Sequence, residues 1–183
     1  MQTNTLCKHP DMALNLIDLE RYPISDLDHG DGAAFLQRCQ QQIDETGWCS
    51  FEGFIRPDAV VALADEANAL LPTADTLTIK RTIYQGKPDS SAQASDPKSR
   101  EYVHRAVQLA DDQIPKETLI QQLYQSNILT EFVRRVQNKS HLYHCADEFQ
   151  ALNLVSLEPN SWHAWHYDTT ECTVTLILQA AES

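Results

Sequence analysis

The sequence predicts an α+β fold, with helices gathered in the first three quarters of the chain and strands at its end. Three observations carry this. Apolar residues recur at helical spacing in five stretches between Gly32 and Gln137. Residues 77–84 instead alternate apolar and polar, Leu77, Ile79, Arg81 and Ile83 against Thr78, Lys80, Thr82 and Tyr84. After Ser140 the chain turns to short runs of strand character. Segregated elements favour α+β over an alternating α/β sheet. The 183 residues fit one domain, spanning 1–183.

Residues 1–30 are polar and read as an irregular lead-in, in which 14–19 is a short strand candidate. Leu36, Cys39 and Ile43 form one stripe with Phe35 beside it, predicting a helix over 32–46. Gly47 is its stop signal. Residues 48–54 then read as a strand. Pro57 and Asp58 suit a first helical turn, and Val60, Leu63, Ala64, Ala67, Leu70 and Leu71 continue that helix to Pro72. The Gly, Pro, Ser and Asp of 86–98 mark a surface loop. Ser99 caps a helix expected to run to Asp112, with Val103, Ala106, Val107 and Ala110 inward. His104 sits beside that stripe and reads as a partly buried histidine rather than a ligand. Further helices are expected over 116–125 and 127–137. Strands are expected at 142–145, 151–157 and 173–179.

Apolar residues make up 42% and charged residues 22%, as in ordinary globular proteins. The net charge of -12 argues against nucleic acid and anionic membranes as partners, since both need clustered Lys and Arg. Five cysteines with no CxxC pair fit reduced thiols. No apolar leader and no membrane span is legible, so a cytoplasmic protein is expected.

The most chemically loaded stretch is 162–168, Trp-His-Ala-Trp-His-Tyr-Asp. In extended chain, His166 and Asp168 point to one face. An imidazole and a carboxylate so placed can take adjacent corners of a metal's coordination sphere. A third ligand completes the two-His-one-carboxylate set of non-haem Fe(II) sites, which keeps positions open for cosubstrate and O2. A hydrogen-bonded turn pair is the competing reading. Another is a zinc site gathered from His141, His144, His163 and His166.

The helix, the 47–54 segment, the next helix, and Asn153 followed by Pro159 and His166-Tyr167-Asp168 together resemble the Fe(II)/2-oxoglutarate oxygenases of the phytanoyl-CoA dioxygenase type. Trp165 to Asp168 followed by 173–179 is similar to the subgroup of free amino acid halogenases and hydroxylases. The resemblance covers roughly residues 32–183. It implies a double-stranded β-helix, or jelly roll, with N-terminal helices packed on it. It implies Fe(II) held by His166 and Asp168, and 2-oxoglutarate as cosubstrate, reached by the Asn153 amide. His163 and Trp165 would stand near a small-molecule substrate, an amino acid by preference, and Arg81 would clamp its carboxylate. Halogenases of the subgroup have a small residue where Asp168 stands, leaving room for chloride, so a hydroxylase is implied.

The pattern also calls for a later His and an Arg beyond it. No His follows His166, and the last Arg is Arg135. The expectation is a C-terminally truncated piece of an oxygenase, inactive alone, unless His144 or His163 supplies the third ligand. A non-catalytic remnant that binds a partner through exposed strands is the alternative.

Overall fold

The computed structural model describes residues 11–157, 159, 161 and 163–180. Trp162 of the loaded stretch lies outside them. Among the described residues the fold is α+β, with four helices and one small three-stranded antiparallel sheet. The chain forms two compact units, one from residues up to Glu66 together with Pro115–Ala146, the other from Ala67–Ile114 together with residues from Asp147 on.

The first unit is helical. Helix α1, Gly30–Thr46, ends at Gly47, which adopts the left-handed φ of 81° and donates its N–H to the Ile43 carbonyl at 2.8 Å. This is the stop the sequence signals. At the other end Gly32 packs so closely that a Cβ there would sit 1.8 Å from the Asp26 carbonyl oxygen. Helix α2, Pro57–Leu70, begins at the expected proline. Helices α3, Leu119–Tyr124, and α4, Asn127–Val136, are capped by Thr118 and Ser126. One carboxylate of α2 adds to this: Glu66 accepts from the Leu119 and Ile120 amides at 2.9 Å each. These amides have no partner within α3 itself.

Phe35 of α1 stacks on Phe132 of α4 with centroids 5.6 Å apart, and Tyr22, Phe51 and Phe54 close around them. That cluster explains why 48–54 is irregular rather than a strand. Phe51 and Phe54 are three apart, so a strand would send them to opposite faces, whereas both enter one core. Of the strand expected at 14–19, the start is a 3-10 turn, Met12–Leu16, with the Asp11 carboxylate accepting from Ala13 N, and Ile17 forms an antiparallel bridge to Ile55. The expected strand at 142–145 forms no ladder; His144 Nε2 meets Thr130 Oγ1 at 2.9 Å and its ring lies 4.8 Å from that of Tyr124.

The second unit holds the sheet. Strand β1, Asp75–Arg81, pairs with β2, Tyr102–Ala110, which pairs with β3, Asn153–Ser156. The helix expected over 99–112 is therefore corrected to the middle strand. The cause is burial on both faces: Ala106 and Val107 are adjacent and both buried, as is Leu109. A strand covered on both sides loses its alternation, and short apolar runs then fit the helical template equally well. The alternating strand expected over 77–84 is present as β1, which starts two residues earlier and ends three earlier, and the one over 151–157 is present, trimmed to β3. The strand expected at 173–179 is absent; this stretch has no ladder partner among the described residues and leaves Val174 and Ile177 exposed. No described helix is long and apolar enough to cross a membrane.

Candidate metal centre

The register of the sheet determines which side chains share a face. Ile79 pairs with His104 and Arg81 with Tyr102, while Ala110 pairs with Asn153. Paired residues, and residues two apart, project to the same side. Arg81, Ile79, His104, Ala106, Gln108 and Asn153 therefore belong to one face. His104 stands near its middle and is buried, with Nε2 lacking a hydrogen-bond partner among the described residues. An unmet buried polar atom costs about 1–3 kcal/mol.

Residues 163–168 reach the same place as irregular chain rather than as a strand. It is pinned where Tyr167 N–H donates to the Ile83 carbonyl at 2.7 Å and where the Tyr167 ring stacks on Tyr84 at 5.5 Å. Either side of that pin stand the two predicted ligands. His166 Nε2 lies 3.2 Å from Asp168 Oδ1. Oδ2 of the same carboxylate accepts from the Thr173 hydroxyl at 2.9 Å, and Thr170 Oγ1 lies 3.2 Å from that hydroxyl. The other ring nitrogen of His166, Nδ1, is 2.8 Å from the Ala164 carbonyl. A carbonyl only accepts, so Nδ1 carries the proton and donates. In the neutral ring Nε2 then presents a lone pair to the carboxylate. Two acceptors at that distance need a proton or a cation between them. An N–H donated to a backbone carbonyl is also how ligating imidazoles are held in orientation.

His163 joins this group. Ring centroids of His104, His163 and His166 lie 5.2, 5.2 and 4.9 Å apart, each pair edge to face. One possible ligand atom from each of the three falls within 4.8 Å of the others. His104 is held below the usual imidazole range by burial first, then by its two histidine neighbours and Arg81. His163, although solvent-exposed as a residue, is held low by desolvation first and by His166 next, with Asp168 pulling the other way. Neutral imidazole is the form that binds metal. The ring nitrogens of His104, His163 and His166 with an adjacent carboxylate fit a divalent first-row transition ion, whose preferred donors are N and O.

An open cleft of about 350 Å³ lies against His163, Ala164, Trp165, His166 and Asp168. Trp165 is 92% exposed there, a wall without a cover among the described residues. Arg81 is the diagonal neighbour of His104 in the sheet, and its guanidinium reaches Gln85 Oε1 at 3.2 Å. Asn153 is not brought to the cluster. It is hydrogen-bonded to Gln108 and pairs with Ala110, six residues along β2 from His104, about 20 Å at strand rise. His141 and His144 belong to the first unit, where they contact Tyr143 and Tyr124.

Sequence reasoning missed His104. The signal that finds it is the pairing of 102–110 with β1, because the register sets His104 opposite Ile79 and beside Arg81. No curated protein and no solved structure matches the chain. A family model does, that of Halogenase D, over residues 32–183. With most of the sequence covered, including β2 and the 163–168 segment, the chain belongs to the Halogenase D family.

Proposed function

We propose that this chain carries the metal site of an Fe(II)- and 2-oxoglutarate-dependent dioxygenase that hydroxylates a free amino acid or similar small molecule. The observation that carries the reading is the His166–Asp168 pair at the mouth of an open cleft, in a chain of the Halogenase D family. His166 and Asp168 would hold the ion, and the iron with its cosubstrate supplies the oxidation of an unactivated C–H bond. The protein's own part is to orient and to exclude. The Ala164 carbonyl holds the His166 ring, and the Thr173 hydroxyl holds Asp168. Trp165 forms one wall of the cleft. Arg81, a fixed cation beside the cluster, suits a carboxylate of substrate or cosubstrate.

Within a family named for halogenation, Asp168 supports the hydroxylase reading. A carboxylate beside the ligating imidazole fills the place a halide would need. A jelly roll is the fold this reading implies, with the three-stranded sheet as part of it.

The test is succinate release from 2-oxoglutarate with Fe(II), chloride and a panel of amino acids, the products being weighed. Oxygen added to one amino acid, lost in His166→Ala and Asp168→Ala, is the expected result. Chlorine in the product overturns the hydroxylase assignment. Turnover unchanged in either variant overturns the assigned ligands.

A further inference from the structure

His104 is the one member of the histidine cluster that the sequence motif does not contain. It is 8% exposed, lies on the middle strand of the sheet, and has its Nε2 buried without a partner among the described residues. Edge-to-face packing of the three rings leaves the buried His104 nitrogen unmet. A shared cation meets it.

We propose that His104 is a direct ligand of the ion, so that the site of this chain is built from three imidazoles, His104, His163 and His166, with Asp168 adjacent. The inference rests on the reading that His166 and Asp168 hold a divalent ion, and adds two nitrogens to it; of these four donors the exposed His163 is the one a chelating cosubstrate would displace, which keeps three positions open. The ligands differ in freedom. His104 is fixed by ladder bonds to β1 on one side and to β3 further along the other. His163 and His166 sit on irregular chain, pinned at Tyr167 and, through Asp168, at Thr173. Two imidazole nitrogens on one ion stand about 3.0–3.4 Å apart at bond lengths of about 2.0–2.1 Å. The present separations, up to 4.8 Å, therefore close by as much as roughly 1.5 Å on loading. That movement belongs to the 163–168 segment, with His104 as the stationary post. Nitrogen-rich donors favour the later ions of the first transition row, so Co(II) and Cu(II) serve as spectroscopic stand-ins for iron.

The test uses the full chain and two measurements. Co(II) is titrated into the wild type and into His104→Ala, His163→Ala, His166→Ala and Asp168→Asn, with circular dichroism as the check on folding. One ion per chain is expected. His104→Ala should weaken binding at least about tenfold, as removal of a ligand must exceed the loss from disturbing a ligand's hydrogen-bond partner. Independently of any variant, Cu(II) in the wild type should show hyperfine splitting from three imidazole nitrogens. Two or fewer nitrogens overturn the proposal. So does Co(II) affinity unchanged in folded His104→Ala; if His166→Ala still loses the ion, the oxygenase reading survives that failure. Binding unaffected by His166→Ala and Asp168→Asn overturns the oxygenase reading instead. A wild type that binds neither ion overturns both.

Discussion

Replacing Thr173 by Val removes one hydroxyl and keeps the shape of the side chain. That hydroxyl donates to Asp168 Oδ2 at 2.9 Å, the oxygen turned away from His166. A hydrogen bond to a charged acceptor is worth about 1.5–3 kcal/mol when buried. The Asp168 side chain is 50% exposed, so water competes and screening applies. About 1 kcal/mol remains, equal to roughly a fivefold loss of metal affinity, since 1.4 kcal/mol is tenfold. Thr173→Ser restores the hydroxyl and should bind within about twofold of wild type. Thr170→Val, one hydroxyl further out, should weaken binding less than Thr173→Val. Calorimetric titration with Co(II) measures all three. A Thr173→Val protein with wild-type affinity, or a Ser variant as weak as the Val variant, refutes the claim that this hydroxyl orients the carboxylate.

Three further outcomes test the frame. Glu66→Ala should destabilise the first unit by about 2 kcal/mol, because two half-buried amides of α3 lose an ionised acceptor, and Glu66→Gln should lose less than half of that; hydrogen exchange at Leu119 and Ile120 reads it, and unchanged exchange refutes it. Gly32→Ala should cost about 3 kcal/mol despite a helix-propensity gain of about 1 kcal/mol, since the added carbon overlaps the Asp26 carbonyl; an unshifted urea midpoint would show the turn gives way freely. Burial first, and Cys49 next, push the Cys39 thiol up to about 12. Alkylation at neutral pH should therefore mark exposed Cys145 and spare Cys39. A thiol raised in the fold adds stability that is whole below its unfolded value, about 8.5. That contribution fades as the pH climbs through the folded value, so unfolding should ease in that alkaline window and equal labelling of both thiols would contradict the burial.

The helical unit was largely legible because its signals are local. Gly47 stops α1 and Pro57 opens α2, each within a turn of its effect. The sheet was legible where one face meets water, as in β1, and misread where both faces are covered, as in β2. The site divided in the same way. His166 and Asp168 are two apart, so chain geometry alone brings them together. His104 comes from a strand whose position depends on pairing with β1, information that no window around residue 104 contains. Asn153, chosen on resemblance, lies on the same face but is separated from the cluster by the length of the strand.

The order in which the chain visits its two units sets a timetable for synthesis. The ribosome delivers β1 and β2, then the whole of α3 and α4 for the other unit, and only afterwards β3 and the 163–168 segment. During that interval β2 waits with the edge that will receive β3 open, and contacts so distant along the chain are slow to close. A nascent chain held at that stage presents the unpaired backbone edge of residues 107–110, a template for pairing with another chain. The face that carries His104 is thus completed last.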